Sequence, residues 1–507
     1  MAEIMEYQMF IDGQWIPGTS GERMEVINPG NGEVVATVPR GNAADVDRAL
    51  QSARSSFNSG IWRSKSIEER AQVLTTAAIM ILAQKDRLAY LESLTSGATI
   101  KRSSTVDIAS VAGSLIMSAA ILREMPEVEH AICPPVIAPM HSYFKREPIG
   151  VCAGITPWNF PMILAAYKFA PALAMGNSIV IKPASITPIT TLELARILYD
   201  AGLPAGVFNV ITGPGSSMGS YLAAHPEVDK IAFTGSTEVG RGVARVAADG
   251  IKRVTLELGG KSAVIVLDDA DLDVAANMGL FAFLMHSGQV CESGTRLIVP
   301  RAMQDDLVAR MIKKIKKMKI GDQMDMTTDI GPIASMDQLK TIMEYVDIGL
   351  KEGATLACGG KRYESGDCAK GFFFEPTIFT NCNNQMKQAR EEIFGPVLCV
   401  IPYDGDEEEA IAIANDSSYG LGGGVCSTNT TRAQKVAARM RTGTVWINTY
   451  HILRPDVPFG GYKESGYGRE NCYHALMAYS EVKHICQDLT PDADDKLVNL
   501  LIGLNNA

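Results

Sequence analysis

The sequence predicts an α/β protein built from two doubly wound domains. Two observations lead there. Short β-branched segments alternate with helical ones in two blocks, the first opening near Val151 and the second running from about Ser262 to Asn448. At 507 residues the chain has room for two or three domains of roughly 150 residues each. The charge balance is mildly acidic, net −10, and no basic run exceeds Lys313-Lys314-Ile315-Lys316-Lys317-Met318-Lys319. That run closes a helical segment beginning near Gln304, where cations suit the C-terminal end of the dipole, so nucleic acid is not an expected partner. The ten cysteines (133, 152, 291, 358, 368, 382, 399, 426, 472 and 486) show neither CxxC nor Cys/His ligand spacing. No disulfide framework and no metal site are expected. The opening residues carry acids and no apolar leader, and no apolar stretch approaches the ~18 residues of a membrane span. The expectation is a soluble cytoplasmic protein without a membrane partner.

In chain order, residues 7–36 read as short strands, with Asp12-Gly13 and Asn28-Pro29-Gly30-Asn31-Gly32 as breakers and Tyr7-Gln8-Met9-Phe10-Ile11 as one arm of a hairpin. Residues 42–57 switch to helical period, with Val46, Leu50 and Ala53 on one stripe, and helices continue to about Arg123. These read as scaffold. Strand character returns between 136 and 152. The first block then offers Gly150-Val151-Cys152-Ala153-Gly154-Ile155, Ser178-Ile179-Val180-Ile181-Lys182, Val207-Phe208-Asn209-Val210-Ile211 and Lys230-Ile231-Ala232-Phe233-Thr234, with helices such as 188–199 between them. Ligands of such parallel sheets sit at the C-terminal strand ends. The second block offers Ser262-Ala263-Val264-Ile265-Val266, Arg296-Leu297-Ile298-Val299, Val397-Leu398-Cys399-Val400-Ile401 and Thr444-Val445-Trp446-Ile447-Asn448. A helix-like stretch at 275–286 precedes a glycine-flanked turn, which the second domain would present to the first across a cleft. No internal repeat or low-complexity segment is present, and the tail 488–507 is unassigned.

That turn is Gly288-Gln289-Val290-Cys291-Glu292-Ser293-Gly294. A lone cysteine is ordinarily a small buried hydrophobe, but one in a polar, glycine-flanked turn is accessible as a nucleophile. Glu257, in Glu257-Leu258-Gly259-Gly260-Lys261, could supply the base that thiol chemistry ending in hydrolysis needs. Asn159, in Thr156-Pro157-Trp158-Asn159-Phe160-Pro161, is either an Asx-turn residue or an amide donor facing an oxyanion. Ser236 opens a helix after Thr234-Gly235 and reads as an ordinary N-cap or an anion site. Gly213, Gly215 and Gly219 are spaced GxGxxxG, one residue too long for the ordinary dinucleotide loop. Pro458-Phe459-Gly460-Gly461-Tyr462-Lys463-Glu464-Ser465-Gly466-Tyr467-Gly468-Arg469-Glu470 is too glycine-rich for a packed element and reads as a buried or lid-like loop.

Together these segments resemble the aldehyde dehydrogenase superfamily from about Phe10 to Val482. Seven motifs occur in the family order: Thr156-Pro157-Trp158-Asn159-Phe160-Pro161, Lys182-Pro183-Ala184, Phe233-Thr234-Gly235-Ser236, Glu257-Leu258-Gly259-Gly260-Lys261, Gly288-Gln289-Val290-Cys291, Glu392-Ile393-Phe394-Gly395-Pro396 and Pro458-Phe459-Gly460-Gly461. The resemblance implies Cys291 as nucleophile, Glu257 as general base and Asn159 as oxyanion donor beside the Cys291 backbone N–H. Lys168 and Glu470 would be linked to Glu257 in proton movement. It implies NAD or NADP as cofactor, with Lys182 at the adenosine ribose, Ser236 at the pyrophosphate, and Glu392 and Phe394 at the nicotinamide ribose and ring. Ile155, Thr156, Trp158, Ser185, Gly215, Gly219, Phe233, Thr234, Gly235, Leu258 and Gly259 would line the same groove. The family binds its dinucleotide without the ordinary fingerprint, which accommodates the long glycine spacing.

The resemblance also divides the chain. Residues 1–128 and 149–259 would form a coenzyme-binding domain, 260–464 a catalytic domain, and 129–148 with 475–487 a small β oligomerisation arm pairing copies into a homodimer or homotetramer. Ser185 stands where many NAD-preferring relatives carry a glutamate, so NADP is permitted. Leu164, Tyr167, Val290, Leu453 and Phe459 match funnel positions and are mostly apolar, which favours an uncharged aliphatic or aromatic aldehyde. Arg454 reads as a structural ion pair or as a carboxylate partner. Glu292, beside the expected nucleophile, is unusual for the family and reads as solvated or as favouring a cationic or amino substrate. Semialdehyde or amino-aldehyde oxidation is thus the alternative, and a non-catalytic protein of the same fold is the alternative of another class. A CoA-acylating enzyme would not need Glu257.

Overall fold

The computed structural model describes residues 4–130 and 139–502. Residues 131–138 of the expected arm, Cys133 among them, and 503–507 of the tail lie outside the described residues. The first sheet runs, in spatial order, Gly466–Tyr467, Arg253–Glu257, Lys230–Thr234, Val151–Ile155, Ser178–Lys182, Phe208–Val210, Met9–Ile11, Gln14–Ile16. Its five central strands are parallel. Strand order reverses between Val151–Ile155 and Lys230–Thr234, which places a ligand crevice at their C-terminal ends. The hairpin Met9–Ile11 and Gln14–Ile16 adds antiparallel at one edge, turned by Asp12 and Gly13 at φ 56° and 72°.

The second sheet runs Thr355–Cys358, Thr377–Thr380, Val397–Tyr403, Arg296–Pro300, Ala263–Val266, Gly422–Cys426, Thr444–Ile447, all parallel except the first. Each sheet is covered on both faces: one pair of apolar clusters flanks the first and another pair the second, as double winding requires. The two sheets present opposite ends to the cleft. The first offers its C-terminal strand ends, whereas Gly259-Gly260-Lys261 and the Cys291 turn enter the N-terminal ends of Ala263–Val266 and Arg296–Pro300.

Local signals explain the boundaries. Helix Ala43–Ser59 opens on Asn42 with a full capping box to Asp45 and closes on Gly60 in the left-handed region. Helix Leu272–Leu284 starts earlier than the sequence pattern and ends two residues short of His286, because His286 and Ser287 take φ of 51° and 54°. That break turns the chain back toward the first sheet. The 15 residues Arg301–Ile315 form the basic-ended helix, with Lys313 and Lys314 in its last turn.

The glycine-rich 458–470 segment is paired into neighbouring strands, with Phe459, Gly460, Gly461, Ser465 and Glu470 buried and Tyr462, Glu464 and Tyr467 exposed. Gly466–Tyr467 pairs antiparallel with Leu256 and Glu257 at the edge of the first sheet, and Tyr462–Lys463 forms a separate two-stranded pair with Tyr419–Gly420. Met140–Pro148 pairs along its whole length with Ser480–Asp488, and Glu129–His130 adds a third strand. The expected arm therefore loses 475–478, which belong to helix Cys472–Ala478. The tail carries a short helix, Leu497–Ile502. One helical run, Ile100–Glu124, does reach the length and apolarity of a membrane span, contrary to the sequence expectation. Half of its most apolar stretch is buried against neighbouring elements, which include helices Ile67–Ala83 and Pro161–Ala174.

Candidate active site

The motifs meet in the cleft because small residues let the chains touch. A Cβ on Gly260 would collide with the carbonyl oxygen of Cys291, and one on Gly288, at φ 74°, would collide with the Gly395 carbonyl. The cysteine turn is thereby held between the Glu257 and Glu392 motifs. Val290, 3% exposed, packs in the same cluster as Leu164 and Tyr167 of the opposite sheet's helix layer. Its burial supplies about 1.5–3 kcal/mol toward docking the turn.

Cys291 is half-buried, and its thiol donates to Glu292 Oε2 at 3.2 Å. Burial pushes the thiol pKa well above its ordinary value, and the charges of Glu292, Glu392 and Glu257 push the same way. Asn159, 2% exposed, donates one amide hydrogen to the Gln289 carbonyl at 2.9 Å, leaving its second hydrogen free. Asn159 immediately precedes helix Pro161–Ala174, whose N-terminus is held by Glu92: Oε1 accepts from the Met162 N–H at 3.2 Å and Oε2 from Thr190 Oγ1 at 2.7 Å. Burial, with the Asp107 charge, pushes Glu92 up to about 8.

Glu257 ends its strand 3% exposed, with neither carboxylate oxygen hydrogen-bonded. Burial and the charge of Glu470 hold its pKa well above the carboxylate range, while Lys168 and Arg469 oppose them. Lys168, fully buried, donates to Glu470 Oε1 and to Thr234 Oγ1, both at 2.6 Å. Reciprocal backbone bonds between Phe459 and Glu470, 2.9 and 2.7 Å, fix the Glu470 end. The expected Glu257, Lys168 and Glu470 thus form one buried electrostatic group.

On the other side of the thiol a groove fits a dinucleotide. Lys182 is 2% exposed, and its Nζ has one protein acceptor, the Pro183 carbonyl at 2.8 Å; burial pushes it down to about 8. Nothing lies within 4 Å of where a Gly215 side chain would start, and Gly219 faces only Lys182 Cδ and Ile155 Cδ1, at 3.8 and 3.9 Å. Gly215–Gly219 is one wide helical turn, unlike the ordinary phosphate loop. Ser185 Oγ donates to the Gly213 carbonyl at 2.9 Å and pins that turn. Ser236 caps Thr237–Asp249. Ile155, Phe233 and Leu258 pack together beneath the groove, Thr156 Oγ1 is buried without a partner, and Gly235 sits against the Phe233 ring. Across the cleft the Trp158 and Phe394 rings meet edge to face at 5.2 Å. Glu392 Oε1 accepts from the Gly260 N–H at 2.9 Å, its side chain lies against Gly259, and burial pushes it up to about 7.

The substrate side is less apolar than the sequence suggested. Leu164, Tyr167, Val290 and Phe459 are buried and Leu453 half-buried. Glu292 is 4% exposed rather than solvated, and its Oε1 pairs with His451 Nδ1 at 3.1 Å. His451 carries no sequence signal, lying 160 positions from Cys291 and outside every motif. Arg454 forms an exposed local pair with Asp456.

A thiol that adds to a carbonyl can release a hydride from the adduct's carbon only to an acceptor held beside it, and here Cys291 lies against the Glu257 and Glu392 motifs; the class is a coenzyme-dependent oxidoreductase. The aldehyde dehydrogenase family model matches residues 15–485, and the chain belongs to that family. It is 43% identical over 489 residues to the betaine aldehyde dehydrogenase of Bacillus subtilis (strain 168), covering 96% of this chain and 99% of that one. Crystal structures of betaine aldehyde dehydrogenase from Staphylococcus aureus in complex with NAD+ superimpose with TM-scores of 0.94 and 0.93 at 39% identity. The first covers 98% of this chain and 96% of that one, the second 97% of each. The chain is accordingly an aldehyde dehydrogenase with NAD or NADP as coenzyme.

Proposed function

We propose that the substrate is a small aldehyde carrying a cationic amino or quaternary ammonium group, oxidised to its carboxylic acid. This replaces the expectation of an uncharged aldehyde. The observation that carries it is the buried Glu292 carboxylate in contact with Cys291. A cation next to a reacting carbonyl gains from such a carboxylate in a low-dielectric site, and aromatic rings such as Tyr167 accept ammonium methyl groups through their π faces. The relatives' activity on betaine aldehyde supports the same reading.

In this mechanism Cys291 attacks the carbonyl as thiolate. The oxyanion is held by the free Asn159 amide hydrogen and the Cys291 backbone N–H, each worth roughly 3 kcal/mol. The coenzyme, when bound, supplies the hydride acceptor. Lys182, Ser236, Glu392 and Phe394 would hold it, with the other groove residues named above. Glu257 then takes a proton from water attacking the thioester, its basicity raised by burial and passed along Lys168 and Glu470. Residues 1–128 with 149–259 bind coenzyme and 260–464 carry the thiol. The exposed strand pair Met140–Pro148 and Ser480–Asp488 supports pairing into a homodimer or homotetramer.

Comparing kcat/KM for betaine aldehyde and its uncharged isostere 3,3-dimethylbutanal tests the substrate reading. The cation is expected to be preferred at least about tenfold, the preference falling in E292Q. Equal use of the two aldehydes refutes it.

A further inference from the structure

We propose that Glu292, held by His451, is the base that takes the proton from the Cys291 thiol, leaving Glu257 to act on water alone. The geometry separates the two carboxylates. Both Glu257 oxygens lack hydrogen-bond partners, whereas Glu292 Oε2 lies 3.2 Å from the sulfur as acceptor of its proton. The other oxygen, Oε1, is taken by His451 Nδ1 at 3.1 Å, and His451 Nε2 faces the Ala282 carbonyl at 3.1 Å. Both ring nitrogens are thus engaged, and the ring is fixed between the Glu292 carboxylate and the Ala282 carbonyl. The His451 contact at Oε1 holds Glu292 below its ordinary carboxylate value despite its burial and leaves Oε2 toward the thiol.

The backbone is fixed for this purpose as well. The Tyr450 phenol O–H donates to the Glu292 carbonyl at 2.8 Å, so residues 450 and 451 grip Glu292 at both main chain and side chain. Gly422 leaves room for the carboxylate stem, since a Cβ there would lie 3.0 Å from Glu292 Cβ. A purely structural residue at 292 would not need a charge, and burying one costs several kcal/mol unless it is paired.

The step balances within the site. The S–H bond breaks and its proton joins Glu292 Oε2; the sulfur electron pair forms the C–S bond; the carbonyl π pair moves to oxygen, facing Asn159. When water later releases the acid, Glu292 returns the same proton to the departing thiolate. The other charged groups around the sulfur, Glu392 and Glu257, are anions that oppose a thiolate, and Tyr167 and Tyr450 feel the Glu292 charge without supplying a cation. His451 is thus a positioning residue, and Glu292 touches the reacting atom.

The inference rests on Cys291 being the nucleophile, and not on substrate charge, so its test uses the neutral aldehyde propanal. Two measurements are made on the full-length enzyme: alkylation of Cys291 by iodoacetamide against pH, and the pre-steady-state NADH burst against pH. In E292Q the alkylation midpoint is expected to move to lower pH, because an anion has left the thiol. The burst at pH 7 is nevertheless expected to slow about 100-fold and to recover steeply as pH rises. H451N is expected to move the acid limb of the burst to higher pH, since Glu292 loses its His451 contact. E292D, which keeps the carboxylate, is expected to restore part of the burst. An E292Q burst at the wild-type rate at pH 7 overturns the proposal, as does a slow burst that E292D leaves unrepaired. A burst that survives in C291A would instead refute Cys291 as nucleophile and so the reading on which the inference rests.

Discussion

Replacing Glu257 by glutamine should make the enzyme slower and, above neutral pH, more stable. The side chain is 3% exposed with both oxygens unpartnered, and burial and Glu470 hold its pKa well above 4.5. A carboxyl whose pKa is raised on folding binds more protons in the folded state, so stability falls as pH rises from the ordinary value through the raised one. Glutamine keeps the shape and leaves an amide equally unpaired, so the substitution changes mainly the charge. E257Q should therefore be more stable than the wild type at pH 8 and indistinguishable from it near pH 4. Turnover should fall by about 10²–10⁴, while one NAD(P)H per active site still appears in a burst, because the thioester forms but is not hydrolysed. Thermal melts at pH 5 and pH 8, run beside stopped-flow absorbance at 340 nm, measure both effects. Unchanged steady-state turnover, or a melting temperature lowered at pH 8, would show that Glu257 is neither the base nor a strained ionised group.

Removing Glu470 as E470Q takes away an anion that raises Glu257, so the acid limb of kcat should move to lower pH; a limb that stays put disconnects the two groups. The same change leaves Lys168 buried without its counterion and should cost about 3–5 kcal/mol in denaturant melts, largely recovered in the K168M/E470M double variant. In the groove, S185E exchanges the hydroxyl that pins Gly213 for a carboxylate, and kcat/KM for NADP should fall at least about tenfold relative to NAD; an unchanged ratio would place coenzyme choice elsewhere.

Most of the scaffold was legible because its signals are local. Strands such as Ser178–Lys182 and Lys230–Thr234 coincide with β-branched runs, and Asn42 and Ser236 mark helix starts by their own capping chemistry. Boundaries set by tertiary contact were not legible. Helix Leu272–Leu284 stops where His286 and Ser287 leave helical φ, although residues 285–287 carry no proline or glycine to announce it. The 458–470 glycines read as a buried or lid-like loop, and what the sequence does not show is the close strand pairing they permit: a Cβ on Gly466 would collide with the Leu256 carbonyl oxygen. The apolarity of 100–124 was hidden by its interspersed serines and by Gly113, and shows only when the helical turns are joined into one run.

The site itself was legible as motifs but not as a sorting of charges. Three carboxylates surround one thiol in a chain of net charge −10, and although their motifs suggest different roles, the sequence does not show which partners set the charge of each. Their partners do. Glu392 accepts a backbone N–H from Gly260, which suits a residue that must hold a ligand in place while its own charge is weakened toward pH 7. Glu257 has no donor at all, which raises its basicity and leaves both oxygens open to a water. Glu292 alone is in contact with a histidine, His451, and that contact holds it below the ordinary carboxylate range at the sulfur. Environments that push like groups apart are how one cleft assigns binding, water activation and thiol activation to the same side-chain chemistry. Under that division, exchanging the partners should exchange the behaviours: taking His451 away should let burial raise Glu292 as it raises Glu257, and so weaken its hold on the thiol proton.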